Sequence, residues 1–412
     1  MKVNRQRLLD RFLQYVAIDT TANENTEDYP SSPGQMEIGK LLLQQMLEMG
    51  IADATQNAKG IVMGTVPGNT QAPVVAFNSH VDTSPETSGK NVKPQVIDDF
   101  DGNDITLTGD STKIITAVEC PELLSAKGKT IITTDGTTLL GGDDKAGVAI
   151  IMELANMLLE NPDFPRGPVR ILFTCDEEIG RGTDHVDIAK VDAAVCYNFD
   201  GGGENVVDNE TFSADMATVT IEGVNIHPAM AKDRMVNAIR ATAQFLEGLP
   251  AELSPECTQG REGFLHPYVI KGGVDKVALK ILIRDFDTST LEQYADLLHK
   301  NATRVEEAFP GTRIKLHIRN QYRNMADGLV HEPRAVQFAV EAHESLGRSC
   351  KLDAIRGGTD GSRLTELGLP TPNLSSGQHN LHSPLEWVCL DEMMAACEIG
   401  AEIVRRWSRE SA

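Results

Sequence analysis

Hydrophobic and polar positions in the first half of the chain follow two alternating periods. Short β-branched runs alternate with longer stretches in which apolar residues recur every three or four positions. The runs predicted as strands are 60–66, 74–77, 169–173 and 193–199. Between the two pairs, residues 146–160 have helical spacing from Val148 to Leu158, which predicts an amphipathic helix. Strands alternating with helices indicate a layered α/β sheet.

The pattern changes near Thr211, where a second string of elements begins. Strands are predicted at 217–221, 277–284 and 313–318, and helices at 236–246 and 291–308. The chain then returns to helices, a Gly-rich turn at 356–362 and a short run at 371–375. We therefore predict a larger α/β domain formed by 1–210 and 321–412, with a smaller βαβαβ domain, 211–320, inserted into it.

Composition supports two domains and excludes some classes of binding partner. A chain of 412 residues agrees with two domains. Its net charge of −22 argues against nucleic acid or an anionic membrane as a partner, since both would repel an acidic surface. Seven cysteines without a CxxC pair argue against a disulfide framework or a thiolate zinc site. Residues 1–20 carry charges throughout, unlike a signal peptide, and no stretch is apolar enough to span a bilayer. A cytoplasmic location is expected.

Acids and histidines follow the predicted strands directly. The segments are His80-Val81-Asp82, Asp143-Asp144-Lys145, Asp176-Glu177-Glu178, Asp200-Gly201-Gly202 and, near the C-terminus, His379-Asn380-Leu381-His382. Carboxylates that collect at strand ends repel one another unless a cation neutralises them. Imidazole and carboxylate without thiolate are the ligands expected for zinc, manganese or cobalt in an open catalytic site.

The spacing within these segments adds to the hypothesis of a metal site. Residues two apart in a strand share a face, so Asp82 can accept the second ring N–H of His80. At a strand end, one of Glu177 and Glu178 can bind metal while the other holds a water proton. Each segment alone also fits an ordinary strand end, helix cap, turn or loop. Four such strand ends in succession, with a late histidine, favour the metal site.

Together these segments resemble the motifs of the di-zinc exopeptidases, the family that includes glutamate carboxypeptidase and aminoacylase. The resemblance covers essentially the whole chain in order. Segments outside the metal motifs are similar to the tripeptide aminopeptidases of that family: 91–95, 133–141 and Ile226-His227-Pro228. The resemblance implies a mixed-sheet zinc-exopeptidase catalytic domain with the smaller α/β domain as its lid. It also implies removal of the N-terminal residue from short peptides, chiefly tripeptides.

The resemblance further implies two Zn²⁺ ions per subunit, for which Co²⁺ or Mn²⁺ can substitute. His80 and Asp200 would hold one ion, and Glu178 and His382 the other. Asp143 would bridge them. His382 is preferred to its neighbour three residues earlier because the family ligand precedes a small residue and, further on, a glutamate.

Other roles follow from the same resemblance. Asp82 would orient the first histidine, and Glu177 would be the general base. His227 would reach the scissile carbonyl, and Arg284 and Arg356 would clamp the terminal carboxylate of the substrate. Arg284 also fits an ordinary surface ion pair, and His227 fits a turn residue.

Alternative functions share the same metal residues. A related metal-dependent carboxypeptidase, dipeptidase or N-acyl-amino-acid deacylase would need the same ligands, and so would a metal-binding protein without activity. The expected partners are short peptide substrates. The sequence does not decide whether the chain forms a homodimer.

Overall fold

The computed structural model describes residues 1–411, which divide into two compact units. Unit 1 comprises Met1–Asn209, Gly328–Asp353 and the chain from Thr359 onward. Unit 2 comprises Glu210–Asp327 and Ala354–Gly358. Unit 2 therefore takes in a short segment that lies beyond the predicted inserted range, 211–320.

Helices and strands are numbered in chain order. The strands are β1 (Thr55–Gln56), β2 (Val62–Val66), β3 (Val75–His80), β4 (Gln95–Ile97), β5 (Ile105–Thr106), β6 (Ile114–Ile115), β7 (Ile131–Thr133), β8 (Val169–Thr174), β9 (Val195–Gly202), β10 (Val206–Thr211), β11 (Ser213–Glu222), β12 (Phe264–Gly272), β13 (Lys276–Asp285), β14 (Arg313–Tyr322), β15 (Lys351–Ile355), β16 (Asn373–His379) and β17 (Trp387–Cys389). The helices are α1 (Arg5–Val16), α2 (Pro33–Glu48), α3 (Gly142–Glu160), α4 (Ile188–Val191), α5 (Ala238–Glu247), α6 (Thr288–Ala308), α7 (Ala326–Leu329), α8 (Arg334–Ser345), α9 (Asp360–Glu366) and α10 (Leu390–Trp407).

A large mixed sheet forms the centre of unit 1. Its strand order is β1-β2-β8-β3-β9-β16-β17-β7-β4. The four neighbouring strands β8, β3, β9 and β16 run parallel, whereas β2, β17, β7 and β4 pair antiparallel. The carboxyl ends of the parallel strands therefore meet at one edge, where α/β sheets place their chemistry. This topology confirms the predicted mixed-sheet α/β class.

Helix α3 is more deeply buried than predicted. Residues at which an amphipathic helix would face solvent, such as Ala149, Ile150 and Met152, are fully buried. The reason is that α3 packs against the helices α1 and α10 as well as against β3 and β9. The predicted helix is present, but helices and a sheet cover it, so it is buried on nearly all sides and the expected solvent-exposed face is missing over most of its length.

Unit 2 contains a smaller antiparallel sheet with two helices packed against it. The strand order is β12-β13-β11-β14, and α5 and α6 contact the sheet. Their shared core includes Val219, Phe245, Ile281 and Leu298. The predicted βαβαβ string omitted β12, an edge strand whose register with β13 shifts after Pro267. Proline in a run weakens a strand prediction, although edge strands tolerate it.

Helices among residues 1–411 include none with the length and apolar character of a membrane span.

Candidate metal centre

His80 is the last residue of β3, and acidic groups surround its buried ring. Its Nε2 atom lies 3.0 Å from Asp143 Oδ1 and 3.6 Å from Asp200 Oδ1. Its Nδ1 atom lies 3.1 Å from the carbonyl oxygen of Asp82 and 3.4 Å from the carboxylate. Burial lowers the pKa of His80, but hydrogen bonds with these three acids raise it well above its ordinary value. The strand ends before Asp82, and the nearest partner of Nδ1 is the Asp82 backbone carbonyl oxygen, with the predicted carboxylate slightly further away.

The Asp82 carboxylate also holds the loop that follows β8. It is fully buried and accepts the backbone N–H groups of Glu177 and Glu178, each at 3.1 Å. These glutamates lie in a one-turn 3₁₀ helix, Glu177–Ile179, entered through Asp176 in the left-handed conformation (φ 61°). One carboxylate therefore sets the position of a histidine and of two neighbouring acids.

Glu177 and Glu178 lie at different places around the centre. Glu178 Oε2 is 3.0 Å from His382 Nε2, while Glu177 Oε2 is 3.9 Å from His80 Nε2. Burial, together with the charge of Asp143, raises the pKa of Glu178 to about 8. Burial likewise raises the pKa of Glu177 well above its ordinary value. In both side chains burial disfavours the charged carboxylate, which a nearby cation would favour.

Asp143 lies between the two histidines, at the start of α3. Its Oδ1 atom contacts His80 Nε2 at 3.0 Å, and its Oδ2 atom lies 3.2 Å from His382 Nε2. Burial opposes ionisation of Asp143, but hydrogen bonds with both histidines hold its pKa well below the usual range. Hydrogen bonds to Asp143 and Glu178 in turn raise the pKa of His382 to about 11. The two oxygens of one carboxylate thus face two different imidazoles.

Glu386 supports the loop that carries Asp143, a role that sequence reasoning missed. Its buried carboxylate accepts the backbone N–H groups of Leu140 at 2.7 Å, Gly141 at 2.9 Å and Asp143 at 3.0 Å. Burial raises the pKa of Glu386 to about 7, against the effect of these hydrogen bonds. The signal available in the sequence was the glutamate that follows His382.

Asp200 lies near the end of β9. The Gln378 side chain donates to the Asp200 carbonyl oxygen at 3.0 Å, which fixes the backbone beside the carboxylate. Burial and the neighbouring charge of Asp143 raise the pKa of Asp200 to about 7. Asp200 therefore lies within the same acidic cluster as His80 and Asp143.

The two histidines near the C-terminus have different surroundings. His382, in the left-handed conformation (φ 61°), directs Nε2 toward Asp143 and Glu178. His379 instead stacks on Trp387, with ring centroids 3.8 Å apart, and its Nε2 lies 2.8 Å from Glu392. The structure brings His382, and not His379, into the cluster.

The donor set fits a pair of divalent cations. One ligand atom each from His80, Asp143 and Glu178 lie within 4.8 Å of one another. Among the described residues, Glu178 Oε1 is buried without a hydrogen-bond partner, as expected for an atom that a cation would satisfy. Imidazole nitrogens and carboxylate oxygens are the donors of catalytic zinc sites.

Asp144 belongs to a second group of candidate ligand atoms, with His80 and Asp200. Its carboxylate accepts hydrogen bonds from the Ser79 hydroxyl, from the His80 backbone N–H at 3.3 Å and from the Gly147 backbone N–H at 3.2 Å. These donors already occupy its oxygens, which favours Asp143 as the ligand.

The remaining predicted residues belong to unit 2. Arg284 is buried, and its guanidinium donates to the carbonyl oxygens of Asp215 and Ile283, each at 3.1 Å. It therefore does not form the surface ion pair considered above. His227 is exposed and accepts the Ala229 backbone N–H at 3.2 Å, which matches the turn alternative.

Arg356 lies in the short segment of unit 2 that follows β15. Its Nη1 donates to the carbonyl oxygens of Gly260 and Glu262, each at 2.8 Å. Its guanidinium lies over the Phe212 ring, 5.1 Å from the centroid. These contacts hold the planar group in one orientation.

Comparison with known proteins gives matches along the whole chain. The model of peptidase family M20/M25/M40 matches residues 140–406. Peptidase T of Bacillus mycoides (strain KBAB4) is 42% identical over 409 residues, covering 99% of this chain and 100% of that protein. Peptidase T of Geobacillus kaustophilus (strain HTA426) is 41% identical over the same length, with the same coverage.

Solved structures share the fold. The aminopeptidase PepT from Bacillus cereus ATCC 10987 superposes with a TM-score of 0.76 at 22% identity, covering 99% of this chain and 100% of that one. A tripeptidase from Staphylococcus aureus subsp. aureus Mu50 superposes with a TM-score of 0.78 at 23% identity, with both chains fully covered. A dinuclear metal-binding M20 peptidase from Bacillus subtilis superposes with a TM-score of 0.64 at 15% identity, covering 98% of each chain. The predicted resemblance is confirmed by these matches: the chain belongs to peptidase family M20/M25/M40.

Proposed function

We propose that the chain is a dinuclear metallo-aminopeptidase that removes the N-terminal residue from short peptides, chiefly tripeptides. The observation that carries the proposal is the position of Asp143, whose two oxygens face His80 and His382 on opposite sides. A carboxylate shared in this way can bridge two cations. The full-length relatives named Peptidase T and the tripeptidase fold support the substrate class.

The proposed ligands form two sets around that bridge. His80 and Asp200 would hold one cation, and Glu178 and His382 the other, with Asp143 shared. Zn²⁺ is the proposed metal, with Co²⁺ or Mn²⁺ able to replace it, because these ions accept mixed nitrogen and oxygen donors. When bound, the two cations would lower the pKa of a water molecule and polarise the substrate carbonyl.

Glu177 is the proposed general base. It would take the proton of the attacking water and return it to the leaving amine. Its carboxylate lies beside the cluster, and Asp82 holds its backbone N–H. Burial raises the pKa of Glu177 above its ordinary value, which makes the carboxylate a better proton acceptor, whereas nearby cations would act in the opposite direction.

The proposed substrate contacts come from unit 2. Arg356 and Arg284 would bind the terminal carboxylate of the peptide, and His227 would donate to the scissile carbonyl oxygen. The fixed orientation of Arg356 over Phe212 supports its assignment, since a preoriented fork loses less entropy on binding a carboxylate.

A panel of free peptides tests the activity. Peptides of two, three and four residues would be incubated with Zn²⁺, Co²⁺ or Mn²⁺, beside N-acetylated forms of the same sequences. We expect release of the N-terminal residue, fastest from the tripeptides, and loss of activity with a chelator. Cleavage of the acetylated forms would instead indicate a deacylase, and release of the C-terminal residue a carboxypeptidase. Fewer than two bound metals without turnover would indicate a metal-binding protein.

We also infer a cytoplasmic location. All seven cysteines are free, as in a reducing compartment. Analytical ultracentrifugation, which measures the molecular mass in solution, would show whether the subunit forms a homodimer.

A further inference from the structure

The ring of His382 has acidic groups on both sides. Its Nε2 atom lies 3.0 Å from Glu178, within the proposed metal centre. Its Nδ1 atom lies 3.4 Å from Oε2 of Glu86, outside that centre. His80 has the same arrangement, since its Nε2 faces the cluster and its Nδ1 faces Asp82. Each proposed histidine ligand therefore has a carboxylate beside the ring nitrogen that is turned away from the metal.

The residue after Glu86 contacts His382 as well. The Thr87 hydroxyl donates to the backbone carbonyl oxygen of His382 at 2.6 Å. His382 has a left-handed backbone conformation in a turn between β16 and β17. A bond to its carbonyl thus restrains a residue whose conformation is otherwise costly.

The segment that carries these two residues is itself held at both ends. The carbonyl oxygen of Thr83 accepts the Ala22 N–H at 2.9 Å, and that of Ser88 accepts the Leu139 N–H at 3.1 Å. The chain from Thr83 to Ser88 therefore forms a fixed support. It follows the end of β3 and is joined, through the hydrogen bond between Ser88 and Leu139, to the segment that precedes Asp143.

We propose that Glu86 and Thr87 are positioning residues for His382, with Glu86 accepting the Nδ1–H and Thr87 fixing the backbone. This inference rests on the metal assignment in the proposed function. A metal-binding histidine that donates its second ring N–H to a carboxylate keeps the tautomer whose other nitrogen is free for the metal. That carboxylate also makes the histidine a more basic ligand.

Exposure distinguishes Glu86 from Asp82. The Asp82 side chain is 0% exposed, whereas that of Glu86 is 71% exposed. An exposed pair is screened by salt, and a buried pair much less so. The effect of Glu86 on metal binding is therefore at the low end of the usual range and falls as salt is added.

Titration with Zn²⁺ against a chromophoric chelator tests the role of Glu86 in the full-length protein. We expect Glu86→Ala to weaken binding of one of the two Zn²⁺ equivalents, the one assigned to His382, by about 10-fold at low salt, the low end of the effects seen for such partners. Glu86→Gln should fall between the variant and wild type, because its amide oxygen still accepts an N–H. Added salt should reduce the difference. Glu24→Ala, which removes an equally charged exposed glutamate, is the control and should match wild type.

Two further measurements separate positioning from a general charge effect. The visible spectrum of the Co²⁺-loaded protein reports the ligand geometry, and it should change in Glu86→Ala but not in Glu24→Ala. Thr87→Val, which removes the hydroxyl at nearly constant shape, should also weaken binding of the Zn²⁺ assigned to His382. Thr87→Ser should retain wild-type affinity.

Zn²⁺ affinities within twofold of wild type for both Glu86→Ala and Thr87→Val, with unchanged Co²⁺ spectra, would overturn the inference. Binding of fewer than two Zn²⁺ by the wild-type protein would instead overturn the proposed function. The two failures are therefore distinguishable in one set of titrations.

Discussion

Asp82 shows how one side chain can organise several others. Its carboxylate lies beside the His80 ring and accepts the N–H groups of Glu177 and Glu178. A buried carboxylate with these partners cannot turn without breaking several contacts. It thereby fixes the spacing between a proposed ligand of one cation, a proposed ligand of the other and the proposed base.

Substitution of Glu177 tests the proposed base. Glu177→Gln keeps the shape of the side chain but cannot accept a proton, so we expect kcat to fall by about 10²–10⁴-fold. Both metals should remain bound, because the proposed ligands are unchanged. Tripeptide hydrolysis and elemental analysis on one preparation measure both quantities. Near-normal turnover with two metals bound would refute the assignment.

Local patterns predicted the acids of the cluster but not their support. Polar residues directly after apolar runs pointed to the groups that the structure brings together: His80, Asp82, Asp143, Glu177, Glu178 and Asp200. The glutamate after His382 was visible in the sequence, but its supporting role was not, because the three backbone partners of Glu386 lie 243 to 246 positions away along the chain. Contacts at that separation depend on the completed sheet and have no local period.

At the scale of elements, a row of buried amides links three parallel strands. Asn78 on β3 donates to Asn198 on β9 at 2.8 Å, and Asn198 donates to Asn373 on β16 at 3.1 Å. Asn373 then donates to the Asp208 carboxylate on β10 at 3.0 Å. The three asparagines are register partners in the sheet. A shift of any strand by one residue would bury these amides without partners, so the row favours the native register.

The row ends at a carboxyl group whose titration affects stability. Burial raises the pKa of Asp208 from 3.8 to about 6. Between these pH values the folded state binds more protons than the unfolded state, so this group makes stability fall as pH rises through that window. The loss is at most about 3 kcal/mol.

Asp208→Asn should remove this contribution while still accepting the Asn373 N–H. We expect a smaller loss of unfolding free energy between pH 4 and pH 7 than in wild type, measured by urea denaturation of metal-free protein. Asp163→Asn, at an exposed position, is the control. An equal loss in wild type and Asp208→Asn would contradict the assignment.

Two elements show why pattern alone misjudged burial. The spacing in α3 identified one apolar face correctly but carried no information about the helices that cover the other faces. In β12, Pro267 interrupts a run whose remaining residues are partly polar, so neither the alternation typical of a strand nor the spacing typical of a helix was evident. The burial of α3 and the formation of β12 both depend on neighbours that are remote in sequence, because tertiary context overrides local preference.

At the scale of the whole molecule, the proposed ligands all belong to unit 1. Five acids of the cluster contribute to the net charge of −22, and two divalent cations would supply +4 at that place. Cations that bind only the folded state stabilise it, by about 4 kcal/mol at 1,000 times the Kd. Their removal takes this stabilisation away from the segments that carry the proposed ligands.

Chelation should therefore loosen unit 1 locally. By hydrogen exchange we expect faster exchange in 139–145, 177–180 and 379–386 when the metal is removed, and unchanged exchange in β11 and β13 of unit 2. Restoring Zn²⁺ should reverse the change. An equal increase in both units would show that the cations stabilise the protein in some other way.

The order of the ligands along the chain has a consequence for synthesis on the ribosome. Four of the five proposed ligands precede residue 201, but His382 follows all of unit 2. A nascent chain that ends within unit 2 would present only a partial set of donors and would hold at most one cation firmly. Catalytic competence would then arise late in translation, after the inserted unit has been made, so the growing polypeptide does not become a peptidase while it is still incomplete.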